Sequence, residues 1–320
     1  MNKILFLDSL HPYLQEELQN KGFHIVHDYK STKEEIRQII HQFQGIVIRS
    51  RFKIEADFLD KAVNLKFIAR GGAGLENIDV LYAEKKGIKC LHAPEGNRDA
   101  VGEHAIGMLL SLFNNLVRSD KQVKEGIWIR EGNRGIELMG KTVGIIGYGN
   151  MGGAFARKLK GFEVKVLAYD KYRINYSDEF ATAAPPEQIF EEADILSLHL
   201  PLTPETKHLV NEEYINNFRK NFWIINTSRG AVVKTEDLVN GLKSEKVKGA
   251  CLDVLEWESI SFEKIDNNQV PEAFKYLTTS ERVLLSPHIA GWTHESNYKI
   301  SSTLFVKICR LYGIDQKTAQ

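Results

Sequence analysis

KTVGIIGYGNMGGAFARKLKGFEVKVLAYD, residues 141–170, sets out its residue types in an order that decides the fold. Val143 to Ile146 form a short β-branched run that ends in glycine, which reads as a buried parallel strand. Gly147, Gly149 and Gly152 follow at the opening of a helical stretch, spaced G-x-G-x-x-G. A second strand, Val164 to Tyr169, ends at Asp170, about twenty residues past the turn. Glycines let the backbone turn tightly and approach a ligand, and the helix N-terminus offers unpaired N–H groups with positive dipole. Together these features predict a site for the pyrophosphate of a dinucleotide, with the Asp170 carboxylate on the ribose hydroxyls. Such an acid selects NAD over NADP, although Lys171 and Arg173 leave some room for a 2′-phosphate.

A chain of 320 residues exceeds one comfortable core, so two domains are expected. Lysine plus arginine (42) equals aspartate plus glutamate (42), a balance that argues against nucleic acid or an anionic membrane as partner. Only Ile4 to Leu7 precede Asp8, too short for a signal-peptide core, and no run reaches membrane-spanning length. A soluble, cytoplasmic protein is expected. Cys90, Cys251 and Cys309 are odd in number, far apart and without a CxxC pair, which favours neither disulfides nor zinc, and no metal site is expected.

Short apolar strands alternate with polar-faced helices from the start. Strands are predicted at Ile4 to Leu7, His24 to Val26, Gly45 to Ile48, Phe67 to Ala69 and Ile88 to Leu91, with helices near Pro12 to Asn20, Lys33 to Gln42, Ala56 to Ala62 and Val80 to Lys86. This spacing means βαβ units and a parallel sheet covered on both faces, a flavodoxin-like domain with its exit hinge at Pro94 to Asn97. A long helix, Ala100 to Arg118, follows, its stripe of Val101, Ala105, Met108, Leu112 and Leu116 suited to packing between domains. Beyond the glycine turn, strands at Ile195 to Leu200, Trp223 to Asn226, Ala250 to Val254 and Val283 to Leu285 complete a dinucleotide-binding domain. Ser296 to Leu311 form a last amphipathic helix that could return to the first domain.

Hydride transfer to a nicotinamide calls for a cation to hold a substrate carboxylate, a base for the hydroxyl proton and a group that orients the base. Arg229 stands directly after a strand's carboxyl end, where ligands bind in open α/β sheets, and its planar fork matches a carboxylate. His288 follows the last strand and is the natural acid/base. His104, inside a helix, reads as a packed or satisfied residue; His199, beside Pro201, is the one serious rival and reads as a cofactor-side contact. Glu258 is the acidic candidate to orient and charge-balance His288, a weak assignment taken alone because loop glutamates are normally just solvated.

GYGNMG with Asp170, HLPLTPET at 199–206, NTSRG at 226–230, CLDVLEWE at 251–258 and SPHIAGWT at 286–293 resemble the D-isomer-specific 2-hydroxyacid dehydrogenase family over nearly the whole chain. The resemblance implies a Rossmann NAD-binding domain (98–289) inserted into a flavodoxin-like, parallel-sheet substrate domain made of residues 1–97 plus 290–320. The active site would lie in the cleft. It implies Arg229, Glu258 and His288 as the catalytic trio and Asp253 as an aspartate near the nicotinamide. Asn150, Met151, Pro201, Thr206 and Thr227 join Gly147, Gly149, Gly152 and Asp170 as cofactor contacts. GGAGLENID at 71–79 resembles the family's substrate loop, with the Gly72, Ala73 and Gly74 amides on the carboxylate. Family members are usually homodimers built through the cofactor domain.

Arg49 and Arg70 each close a substrate-domain strand, and two guanidinium groups there suggest a second anionic group on the substrate. They resemble the phosphate-binding arginines of D-3-phosphoglycerate dehydrogenases. The expected reaction is therefore oxidation of 3-phospho-D-glycerate to 3-phosphohydroxypyruvate, the entry to serine synthesis. Glyoxylate or hydroxypyruvate reduction and D-lactate oxidation are the alternatives, and an NAD-sensing binding protein is the alternative outside enzymology. Two features depart from the family: Ser259 stands where proline is usual, and the segment from Glu258 to His288, with Phe262, Pro271, Phe274 and Tyr276, is longer than usual. The chain's close after the final helix suggests that no C-terminal regulatory domain follows.

Overall fold

The computed structural model describes residues 2–258 and 271–315. They divide into two compact units, residues 2–97 with 292–315, and residues 98–258 with 271–291. Ser259 and Phe262, named above among the family departures, lie outside the described residues.

In the first unit strands and helices alternate: β1 (Lys3–Phe6), α1 (Tyr13–Asn20), β2 (His24–His27), α2 (Lys33–Ile39), β3 (Gly45–Ile48), α3 (Ala56–Lys61), β4 (Phe67–Arg70), α4 (Val80–Lys85) and β5 (Lys89–His92). All five strands run parallel in the order β2-β1-β3-β4-β5. The central β3, GIVI, is buried at every position, as a parallel strand with helices on both faces must be. α2 starts with a reciprocal cap in which Thr32 accepts from the Glu35 N–H and Glu35 accepts from the Thr32 N–H, which fixes its first turn.

Two expectations for the middle of the chain are corrected. The exit expected at Pro94 to Asn97 coincides with the end of the first unit at Asn97, but it is the first turn of α5 (Pro94–Phe113), because the fixed φ and missing N–H of Pro94 suit the first helical position. The helix expected to run to Arg118 breaks at Asn115, which is left-handed (φ +52°). A separate helix, α6 (Leu116–Lys124), begins there, and Leu116 is exposed rather than part of the buried stripe. Asparagine tolerates that backbone region better than other side chains with a Cβ, so the stop is chemically sensible though silent in the apolar pattern.

The second unit continues as β6 (Thr142–Ile146), α7 (Asn150–Leu159), β7 (Lys165–Tyr169), β8 (Thr182–Ala183), α8 (Pro186–Glu192), β9 (Ile195–Leu198), α9 (Glu212–Asn217), β10 (Phe222–Asn226), α10 (Thr235–Lys243), β11 (Val247–Leu252), α11 (Glu272–Thr279) and β12 (Val283–Leu285). Its seven strands are all parallel, in the order β12-β11-β10-β9-β6-β7-β8. β6 and β10 are buried throughout. The order reverses between β6 and β9, the place where an open α/β sheet presents its carboxyl edge to a ligand. β8, two residues long, is too short to show a period in sequence. In the long segment before His288, Phe274 meets Trp257 edge-on and Tyr276 packs on this unit's own core, so both extend its surface.

The last helix, α12 (His294–Leu311), belongs to the first unit, where Leu304, Phe305 and Ile308 are buried with Ile4, Phe6 and Leu14. Thr293 caps it by accepting from the Ser296 N–H.

Candidate active site

The glycine turn of the second unit is built by steric necessity. Gly147 has φ +92°, and a Cβ there would lie 2.4 Å from the His199 carbonyl oxygen, so both conformation and space demand glycine. A Cβ on Gly152 would fall 2.1 Å from the Gly147 carbonyl oxygen, so α7 stands directly on the turn. At Gly149 the reverse holds: a Cβ would meet nothing within 4 Å and would project into a cavity of about 340 Å³. No side chain caps α7 at Gly149, so its first-turn N–H groups and dipole face that cavity. Asn150 lines the cavity, and Met151 is half-buried.

Asp170 closes β7. Its carboxylate accepts from the Tyr148 N–H (2.9 Å) and the Tyr172 N–H (3.0 Å), one bond to each oxygen, so it ties the glycine turn to the strand end. The two cations that left room for a 2′-phosphate have other partners: Lys171 pairs with Glu205, and Arg173 donates to the Tyr148 carbonyl. Thr227 is buried, and its Oγ1 has no hydrogen-bond partner among the described residues, which suits a polar contact with a bound molecule. Thr206 is spent on its own loop, its hydroxyl donating to the Pro201 carbonyl at 2.6 Å. The glycine cradle, the helix end and the orphaned Thr227 hydroxyl together fit a dinucleotide.

Three neighbouring strand ends carry the polar chemistry. After β10, Asn226 accepts from the Ser228 N–H (3.0 Å) and hydroxyl (2.7 Å) and donates to the Arg229 carbonyl (3.0 Å), which fixes the turn that presents Arg229. The half-buried Arg229 donates through Nη1 to the Ser228 carbonyl at 2.6 Å. After β11 comes Asp253, 1% exposed, which the register of β11 on β12 sets opposite Ser286. Its carboxylate accepts from Ser286 Oγ (2.6 Å), the Ile289 N–H (2.9 Å) and the Ala290 N–H (2.8 Å). Burial pushes its acidity toward higher pKa, but the hydrogen bonds from His104, Ser286 and the two amides outweigh it and hold the carboxyl below its ordinary value. Asp253 therefore acts as the clamp of the loop that bears His288.

His288 itself is left-handed (φ +55°), a conformation that costs a residue with a Cβ about 1–2 kcal/mol and is held by its N–H bond to the Asp253 carbonyl at 2.7 Å. Its Nδ1 meets Glu258 Oε2 at 2.6 Å, and the other Glu258 oxygen accepts from the Leu255 N–H in a tight bond. A Cβ on Gly230 would lie 2.0 Å from the Leu255 carbonyl carbon, so the Arg229 turn is pressed against the turn that carries Glu258. The fold thus brings Arg229, Glu258 and His288 to one region. The loop glutamate that sequence alone supports weakly is fixed from both sides.

His104 and the rival His199 are both accounted for. His104 Nε2 lies 2.9 Å from Ser286 Oγ and 3.5 Å from Asp253, so it supports the same clamp. His199 bonds Ser197 Oγ at 2.9 Å and tilts against Phe155, and burial pulls its imidazole down to about 3. A ring so hard to protonate is a poor proton carrier near neutrality.

The first unit holds the remaining candidates. Arg49 and Arg70 leave adjacent strands, with Ile48 in register with Arg70. The Arg49 N–H donates to Asp8 (2.6 Å), and the guanidinium lies over the Trp292 ring at 4.2 Å. The Arg70 guanidinium rests on Gly72, where φ is +156° and a Cβ would fall 1.7 Å from Nη1. The Gly72 N–H is committed to the Arg70 carbonyl at 2.8 Å, so of the expected anion-binding amides Gly72 is withdrawn, while Ala73 and Gly74 continue the loop. His92 Nδ1 holds the Ala73 carbonyl at 2.5 Å. Arg98, Asn226 and Ser286 are site residues that the sequence reading did not single out.

The sequence model of the NAD-binding domain of D-isomer specific 2-hydroxyacid dehydrogenases matches residues 106–290, more than half of the chain. The chain belongs to this family. It is accordingly an NAD-dependent oxidoreductase of 2-hydroxy acids. The hydroxypyruvate reductase of Thermotoga maritima is 35% identical over 300 residues, 94% of this chain and 93% of that protein. The D-3-phosphoglycerate dehydrogenase of Methanocaldococcus jannaschii is 33% identical over 92% of this chain, which spans about half (55%) of that longer protein. Among solved structures, the D-lactate dehydrogenase of Aquifex aeolicus, complexed with NAD and lactic acid, superposes with a TM-score of 0.81 at 29% identity, covering 98% of this chain and 96% of that one. No helix among the described residues is long and apolar enough to cross a membrane.

Proposed function

We propose that this dehydrogenase interconverts 3-phospho-D-glycerate and 3-phosphohydroxypyruvate. The observation that carries the substrate reading is the pair Arg49 and Arg70 on adjacent strand ends of the first unit, flanking the loop of residues 71–74. Two guanidinium forks and a glycine-rich backbone suit a molecule with two anionic groups, a carboxylate and a phosphate. Arg70 and the Ala73 and Gly74 amides take one anion and Arg49, steadied on Trp292, takes the other.

When bound, NAD supplies the acceptor for the hydrogen at C2. Its diphosphate would be held by the α7 N-terminus with Gly149 and Asn150 and its adenosine ribose by Asp170, with Met151, Pro201, Thr206, Thr227 and Asp253 as the further residues that would contact it. Neutral His288 accepts the C2 hydroxyl proton at Nε2, because Glu258 occupies its Nδ1 side. The Glu258 carboxylate then stabilises the imidazolium so formed, and in the reverse direction the same proton returns to the carbonyl oxygen. Arg229 orients the carboxylate beside the reacting carbon.

Unphosphorylated hydroxypyruvate is the second reading, favoured by the likeness to the Thermotoga reductase over nearly that protein's full length. The two are separated by kcat/KM on 3-phosphohydroxypyruvate, hydroxypyruvate, glyoxylate and pyruvate with NADH, in wild type and Arg49→Ala. Preference for the phosphorylated acid, lost in the variant, is expected; preference for an unphosphorylated acid, unchanged in the variant, would discard the phosphate reading. The protein acts as a homodimer through its second unit, where Leu116, Val117, Val123, Trp128 and Met139 are exposed within a short stretch of chain.

A further inference from the structure

The cavity at the α7 N-terminus has a lining that the glycine motif does not explain. Alongside Gly149, Asn150, Gly153 and Ala154 stand three arginines, Arg98, Arg157 and Arg173, and among the described residues no acidic side chain lines it. Two of the three are tethered elsewhere. Arg157 pairs with Asp99, and Arg173 donates to the Tyr148 carbonyl. Arg98 comes from α5, about fifty residues before the motif, and the crossing of two helices puts it there. A Cβ on Gly102 would lie 3.2 Å from the Ala154 carbonyl and the Phe155 nitrogen, so α5 and α7 touch backbone to backbone at that point. One turn earlier on α5 is Arg98, and one turn earlier on α7 is Asn150. Arg98 Nε is shut off from solvent and has no hydrogen-bond partner among the described residues. A buried N–H of a cation left without an acceptor is costly unless a ligand supplies one.

We infer that Arg98 is a cofactor-binding residue that grips the diphosphate of NAD from the side opposite the α7 N–H groups. Asn150, the first residue of α7, is neutral, so the helix end alone offers only partial positive charge. Arg98 adds a full charge in a fork that matches phosphate oxygens. Gly149 and Gly153 line the cavity, whereas a 2′-phosphate would have to sit by Asp170, whose carboxylate repels it. The inference rests on the family's use of NAD and not on the substrate reading. Its test is binding without substrate, so each can fail alone.

The experiment measures Kd for NADH, NADPH, ADP-ribose and adenosine by fluorescence titration and calorimetry at several salt concentrations, on wild type, Arg98→Ala, Arg98→Gln and Arg98→Lys, with circular dichroism to verify folding. Loss of charge-assisted bonds to phosphate predicts about ten- to hundredfold weaker NADH and ADP-ribose binding in the alanine and glutamine variants. It also predicts a flatter salt dependence, partial recovery in Arg98→Lys and unaltered adenosine binding. ADP-ribose affinity at the wild-type level in a folded variant would overturn the assignment. So would equal losses for ADP-ribose and adenosine, which mean a packing role, or a loss confined to NADPH, which means a 2′-phosphate contact.

Discussion

Glu258→Gln is close to isosteric, yet the structure predicts that it disables His288. Two donors converge on the Glu258 carboxylate, His288 Nδ1 at 2.6 Å on one oxygen and the Leu255 N–H on the other. A carboxylate accepts both, but a carboxamide must turn its NH2 toward one of them. If the amide oxygen keeps the Leu255 N–H, the NH2 faces Nδ1, and His288 must carry its proton on Nε2, the atom that should receive one. If the oxygen keeps His288, a backbone N–H is opposed by a donor and the turn at residues 255–258 is strained. Losing one charge-assisted bond in the step that forms the imidazolium removes about 1.5–3 kcal/mol, roughly ten- to 150-fold in rate. The wrong tautomer extends the loss toward the 10²–10⁴-fold typical of a missing general base. Because the overall equilibrium is fixed, kcat/KM falls by the same factor in oxidation and reduction while NADH affinity stays put. Steady-state kinetics in both directions, with the NADH Kd measured in parallel, test this. Glu258→Gln activity within about threefold of wild type would refute the orienting role.

His199, pulled down to about 3 by burial against 6.5 in the unfolded chain, makes stability depend on acid. Above pH 6.5 both states hold it neutral; below, the unfolded chain takes up the proton first, so its contribution is lost as pH falls, about 2 kcal/mol by pH 5. Urea melts of wild type and His199→Gln at pH 7.5 and 5.0 should show a smaller pH loss in the variant, and equal losses would mean that the ring is protonated without penalty. Trp128, 84% exposed in the apolar stretch of the second unit, should sit at the dimer contact. Trp128→Glu is expected to yield monomers in sedimentation velocity, and an unaltered dimer would place the interface elsewhere.

How legible the site was depended on whether its geometry is local in sequence. Gly147, Gly149, Gly152 and Asp170 lie within one βαβ unit, and the structure repeats that unit as read, with Asp170 one hydrogen bond from the turn. Arg229 and His288 were legible because a strand end is a one-dimensional feature with a three-dimensional meaning. Glu258 was weak because thirty residues separate it from His288, and only coordinates supply the 2.6 Å contact. The clamp formed by Asp253 follows from the register Leu252 to Leu285, which no periodicity reveals. The helix break at Asn115 was missed because the apolar residues on either side stay in helical phase, and the left-handed turn is a single-residue choice. Gly72 was counted among the anion-binding amides because a glycine run suggests open N–H groups, whereas its own is taken by Arg70.

The same distinction explains why the catalytic and specificity halves are known to different depths. Proton transfer needs a few groups at fixed distances, and here each is tied to the backbone: Asn226 bonds the Arg229 carbonyl, Asp253 the Ile289 N–H of the His288 loop, and the Leu255 N–H the Glu258 carboxylate. That scaffold consists of backbone bonds at the ends of a rigid parallel sheet, so it survives wide change in the loops that meet the substrate. Arg49 is held differently, by an aromatic face 4.2 Å away on a residue that is itself 64% exposed. A cation–π contact of this kind is worth about 0.5–1 kcal/mol at an exposed site, in contrast to the hydrogen-bonded clamp around the His288 loop.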